Sequence, residues 1–166
     1  MPGSMNRGLN FSTVVQRPDS VAGYSATPLA KKLGIKSGTR LLALHAPDGY
    51  ASLLAPLPPD VSFPKNVTER VDLVHLFVVS RAVLASQLAR ILGKLRQDAA
   101  ICVSWPKKSA GVTTDVTEDV IRAVALPMGL VDIKVCAVDD TWSGLKLVIR
   151  KENRVGSRSP KMRKRA

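Results

Sequence analysis

Leu73-Val74-His75-Leu76-Phe77-Val78-Val79 is a continuous apolar run but for His75, and it leads directly into Arg81–Leu95, where Leu84, Leu88, Ile91, Leu92 and Leu95 recur at helical spacing. Arg81, Gln87, Arg90, Lys94 and Arg96 fall mostly on the other side of that helix. A strand that is apolar on both of its faces is buried on both, as in parallel sheets covered by helices. Gln97-Asp98 then turns the chain into a second apolar run, Ala100–Trp105. Strand, amphipathic helix and strand form a βαβ unit, so this stretch predicts an α/β fold with a parallel core.

On the amino-terminal side, Arg40–His45 reads as the first strand, bounded by Ser37-Gly38 and Ala46-Pro47-Asp48-Gly49. Tyr50–Leu54 follows as a short helix ended by Leu57-Pro58-Pro59-Asp60, with Val61–Phe63 a brief edge strand and Pro64–Asp72 a loop. Thr27–Gly34 predicts a further helix that covers one end of the sheet, with Thr27 as N-cap, Pro28 at the first helical position and Gly34 at the C-terminus. Leu73–Val79 is expected at the centre of the sheet.

On the carboxyl-terminal side, Pro106–Thr114 is a polar loop and Asp115–Ala125 a second amphipathic helix, its N-terminal end favoured by Asp115, Glu118 and Asp119. Met128-Gly129 stops it. Val131–Val138 and Leu145–Arg150 are two strands joined by Asp139-Asp140-Thr141-Trp142-Ser143-Gly144. So short a connector joins antiparallel neighbours, because a parallel return needs a crossover of about a dozen residues or more. The expected fold is a Rossmann-like three-layer α/β/α architecture with a mostly parallel sheet and an antiparallel last strand.

The chain has 166 residues, 45% hydrophobic and 4% aromatic, enough for one core built mainly from aliphatic side chains. No apolar run approaches the roughly 20 residues that cross a bilayer, and Met1–Asn10 lacks the order of a secretory signal, so a cytoplasmic protein without membrane contact is expected. Residues 1–22 read as a disordered leader, with 1–4 shaped like a tag remnant. Residues 23–150 read as the α/β domain, and 151–166 as a disordered basic tail. Cys102 and Cys136 sit in apolar runs with no metal-ligand spacing around them, so they read as reduced, buried thiols and no metal is expected. Half of the net charge of +12 lies in the tail, where Lys151, Arg154, Arg158, Lys161, Arg163, Lys164 and Arg165 face only Glu152.

The order of elements, ending in helix, strand, tight connector and antiparallel strand, resembles the C-terminal part of the class I S-adenosylmethionine-dependent methyltransferase fold. Asp72–Val79 resembles that fold's fourth strand. Gly23–Ile35, Trp105-Pro106-Lys107-Lys108 and Gly129–Lys146 resemble an uncharacterised bacterial family, domain of unknown function 3052. The likeness covers about Gly23 to Arg150; it implies an architecture and carries no activity with it. Departures from the methyltransferase pattern weigh against catalysis and against a bound cofactor. The turn after the first strand, His45-Ala46-Pro47-Asp48-Gly49, has one glycine and a proline where that fold uses a glycine-rich approach to the cofactor. The 27 residues Ala46–Asp72 hold a helix and one edge strand, but not complete second and third strands with their helices.

Ligands of open α/β sheets bind outside the carboxyl ends of the parallel strands. That rim collects His45 and Asp48, Ser80 and Arg81, Trp105, Lys107 and Lys108, and Asp139, Asp140 and Trp142. Large aromatics beside charged groups suit recognition; equally, Asp139-Asp140 can shape a turn, Lys107-Lys108 can be solvated and both indoles can cap the core. His75, inside a buried strand, reads as a hydrogen-bonded core histidine. No nucleophile elbow, phosphate-binding loop or zinc cluster is present in the sequence. Three functions follow. The first is a non-catalytic or degenerate methyltransferase-like domain binding a small molecule or protein at the rim. The second is a nucleic-acid-associated protein attracted to phosphates through its tail. The third is an enzyme of unknown reaction.

Overall fold

The computed structural model describes residues 27–154. The expected leader, residues 1–22, and tail residues 155–166, with Arg158, Lys161, Arg163, Lys164 and Arg165, lie outside the described residues. Five strands form one sheet: β1 (Leu41–Leu44), β2 (Leu73–Phe77), β3 (Ala100–Pro106), β4 (Leu130–Ala137) and β5 (Trp142–Ile149). The helices are α1 (Leu29–Leu33), α2 (Tyr50–Leu54), α3 (Arg81–Leu92) and α4 (Glu118–Ala125).

The spatial order is β1-β2-β3-β5-β4. β1, β2 and β3 pair in parallel, and β5 runs antiparallel to both β3 and β4. The last strand therefore inserts between β3 and the strand that precedes it. The middle place belongs to β3, where Leu73–Val79 had been expected; β2 is an interior strand beside it, buried at every residue.

Pleating sends alternate residues to two cores. Val74, Leu76, Ile101, Val103, Leu145 and Leu147 pack with Leu84, Leu88 and Ile91 of α3 and Ile121, Val124 and Ala125 of α4. Leu41, Leu73, Phe77 and Cys102 pack on the opposite face with Leu29, Ala30 and Leu33 of α1 and Tyr50 and Leu54 of α2. The architecture is thus three-layered, and α1 covers a face of the sheet rather than its end. Its second layer is thin, because α1 and α2 are only five residues each.

Local chemistry sets the ends of these elements. Pro28 stands at the N-cap of α1, one place earlier in the helix frame than expected, and Gly34 closes the helix at φ 82°, a left-handed conformation that glycine adopts without strain. Ser80 Oγ accepts from Val83 N–H at the start of α3, and Thr117 Oγ1 from Val120 N–H at the start of α4. Asp115, expected in the first turn of α4, lies before it; its carboxylate instead accepts the Arg81 N–H of α3 at 2.7 Å. The edge strand foreseen at Val61–Phe63 is reduced to one parallel bridge, Arg40 with Ser62. Order also runs past the expected boundary at Arg150: Lys151–Asn153 forms a 3-10 turn, Asn153 Nδ2 donates to Gly129 O, and Arg154 Nε donates to Ile149 O.

Candidate functional site

β1 to β4 point the same way, so their carboxyl ends and the start of β5 share one border. From β1 to β5 that border spans three strand spacings, about 14 Å. At its β1 end, His45 is exposed and held at φ 58°, and Gly49 at φ 82° precedes α2. A histidine in the left-handed region is uncommon, and such strain collects at sites where the surroundings impose it. Asp48 is exposed in the same turn.

α2 exists at this point because the turn delivers Tyr50 and Leu54 to the core one helical turn apart. Tyr50 Oη lies 2.7 Å from His75 Nδ1, and His75 Nε2 lies 2.7 Å from Ser104 Oγ. His75 is 0% exposed, and burial pushes its pKa down to about 3, so the ring is neutral. Burial, with Cys102 nearby, raises the Tyr50 phenol above its usual range. The His75 ring stacks on Phe77 at 4.3 Å between centroids, and Phe77 meets the edge of Trp142 at 5.0 Å. A continuous polar and aromatic column therefore runs from the core to the half-buried Trp142 at the rim.

The border is not one pocket. Trp105 pairs with Ser143 and Trp142 with Pro106, so the pleat turns the two indoles to opposite faces. Trp105 packs in the α3–α4 core, 8% exposed, while Trp142 packs against the α1–α2 core. Ser80 and the Arg81 N–H are engaged in capping α3, where Asp115 supplies the anion. Asp139 Oδ1 accepts from both Thr141 N–H and Trp142 N–H at 2.8 Å, so Asp139 shapes the connector. Asp140 is exposed beside it. Lys107 N–H donates to Thr141 O at 2.7 Å, tying the loop after β3 to the connector, and Lys108 is exposed. Around the column, His45 and Asp48 are exposed at one end, and at the other the half-buried Trp142 stands beside the exposed Asp140.

Tyr50, Phe77 and Ser104 escaped the sequence reading as parts of this site. Only His75, a lone polar residue in a buried run, signalled that partners must exist. At the opposite, amino border, Val67, Thr68, Glu69, Arg70, Gly93 and Lys94 line an open hollow of about 550 Å³. No group of three or more metal-ligating side chains occurs among the described residues, and none of their helices is long and apolar enough to cross a membrane.

No known family's sequence profile matches the chain, and no curated protein matches it by sequence. Solved structures do match in shape. A SAM-dependent methyltransferase from Aquifex aeolicus is similar at a TM-score of 0.50 and 13% identity, over 74% of this chain and 88% of that one. The fibrillarin pre-rRNA processing protein of Methanococcus jannaschii matches at 0.48 and 11% identity, over 75% and 70%. The B. subtilis tRNA methyltransferase TrmK matches at 0.46 and 10%, over 81% and 69%. At such identities the likeness concerns architecture. The chain has the Rossmann-like α/β fold of the class I methyltransferases, shortened between β1 and β2 to a five-residue helix and one bridge.

Proposed function

We propose that this chain is a non-catalytic or degenerate methyltransferase-like domain that binds a small molecule or a protein partner at the carboxyl border on its α1–α2 face. The observation that carries the reading is His45, exposed and left-handed at the end of β1, where open α/β sheets take their ligands. The short β1–β2 segment supports the non-catalytic or degenerate reading. After the bridge at Ser62 come Phe63 and Pro64, with no acid to hold ribose hydroxyls. The likeness to the domain of unknown function 3052 and a bacterial, cytoplasmic setting belong to the same proposal.

Titration calorimetry of the full chain with S-adenosylmethionine, S-adenosylhomocysteine, nucleotides and a metabolite panel tests it. A binder whose heat disappears in His45→Ala and Trp142→Ala, with no methyl transfer to added acceptors, is expected. Binding that survives both substitutions overturns the assignment, as does a complete absence of binders.

The charge distribution favours a second reading, association with nucleic acid through Lys151, Arg154, Arg158, Lys161, Arg163, Lys164 and Arg165. Such contact is sequence-independent and weakens steeply with salt. A shift assay comparing the full chain with one ending at Arg154 decides it, and equal affinities dismiss it.

A further inference from the structure

On the α1–α2 face of the sheet, Ser104 of β3, Gly144 of β5 and Cys136 of β4 stand in one row across three strands. A side chain at Gly144 would be crowded. A Cβ at that position would lie 3.1 Å from Cys102 Sγ, 3.2 Å from Ser104 Oγ and 3.3 Å from Cys136 Sγ. Both thiols therefore lean into the space above Gly144, Cys102 wholly buried and Cys136 half-buried on the edge strand.

Three lysines surround the half-buried thiol. Lys134 and Lys146 share its face of the sheet, on β4 and β5. Lys32 of α1 donates to Ala137 O, the residue after Cys136, at 3.1 Å. Lys146 Nζ donates to Leu33 O at 3.0 Å and Lys134 Nζ to Lys32 O at 3.3 Å, so backbone carbonyls hold all three ammonium groups in place. Lys36 adds its charge nearby. The acid on the adjoining part of β4, Asp132, belongs to the other face, where Arg122 binds it at 3.1 Å.

We propose that Cys136 is a reactive thiol whose lysine surround selects anionic low-molecular-weight disulfides and retains them as a mixed disulfide. The Cys136 sulfur attacks one sulfur of the reagent, the S–S bond breaks, and the second sulfur leaves as a thiolate carrying the electron pair. Its reactivity agrees with its acidity: the hydrogen bond from the Cys102 thiol, then Lys32, Lys134 and Lys146, outweigh burial and bring Cys136 down to about 7. The same hydrogen bond and full burial push Cys102 up. Cys102 does not displace the adduct. β5 separates the two backbones by two strand spacings, about 9.6 Å, beyond the ~7 Å that a disulfide spans.

The test uses the full chain at pH 7 with dianionic 5,5′-dithiobis(2-nitrobenzoate) and cationic cystamine, each rate taken relative to N-acetylcysteine. One thiol of the two is expected to react, with mass spectrometry placing the adduct on Cys136, and the relative rate higher for the anionic reagent. Cys136→Ser removes the reaction. Lys134→Gln, at an exposed position, slows the anionic reagent about fivefold, the effect of one unit charge near 4 Å in water, and does not slow cystamine, whose repulsion by the lysine is removed. Reaction of both thiols or neither, an adduct on Cys102, or equal relative rates for the two reagents overturns the proposal.

Discussion

Tyr50 and His75, 25 residues apart, are joined by a 2.7 Å hydrogen bond inside the α1–α2 core, and that bond fastens a five-residue helix to the second strand. α2 is too short to hold itself together, since isolated helices below about 12 residues are marginal in water. Tyr50→Phe keeps the ring contacts with Phe77 and His75 but leaves Nδ1 unpaired in a dry site. A loss of about 1–3 kcal/mol is expected, read from the midpoint of urea unfolding; an unchanged midpoint would show that the bond contributes nothing.

The same histidine makes stability depend on pH. Its folded pKa, about 3, lies below the unfolded value, so the unfolded chain binds a proton that the folded one refuses. The contribution is complete above about pH 6.5 and falls as pH drops toward 3, with a slope on the order of 1 kcal/mol per pH unit. Denaturation measured between pH 7 and 4 checks this. His75→Gln should flatten the slope while lowering stability at neutral pH.

Gly144→Ala places a methyl group within 3.3 Å of three atoms, two of them sulfur. Overpacking of this kind costs about 1–3 kcal/mol. The double variant Gly144→Ala with Cys136→Ala should recover part of that loss, and thermal melts of the three chains measure it. No recovery would mean that the strain falls on Cys102 and Ser104 instead.

Asp115 and α3 form the tie across the border. The carboxylate takes the Arg81 N–H at 2.7 Å, and the neighbouring Thr114 Oγ1 donates to Val79 O at 2.7 Å. Asp115→Ala removes a charged partner from a helix N-terminus, at a cost of about 0.5–2 kcal/mol. Hydrogen exchange should quicken at Arg81 and at neighbouring first-turn amides of α3, leaving Leu88–Ile91 protected.

The two tryptophans should separate in experiment as they do in space. Trp105→Ala empties a core position and is expected to cost about 3–5 kcal/mol. Trp142→Ala, half-buried, should cost less and act on ligand binding at the border. Equal losses of stability would contradict their assignment to different environments.

The sequence by itself determined the elements and their directions. The apolar run Leu73–Val79, helical spacing in Arg81–Leu95 and the short connector expected over Asp139–Gly144 are local patterns, and local patterns specify α/β architecture with one antiparallel strand, although pairing takes Trp142, Ser143 and Gly144 out of that connector and into β5. Only the tertiary structure decided that β5 enters between β3 and β4, because strand order depends on which edge is left to pair and not on the spacing of apolar residues. Register followed from that choice, and with a side-chain period of two it sent Trp105 and Trp142 to opposite faces while gathering Cys102, Ser104 and Cys136 around Gly144. Groups far apart in the chain become neighbours through pairing, and no composition or motif in one segment records its partner in another.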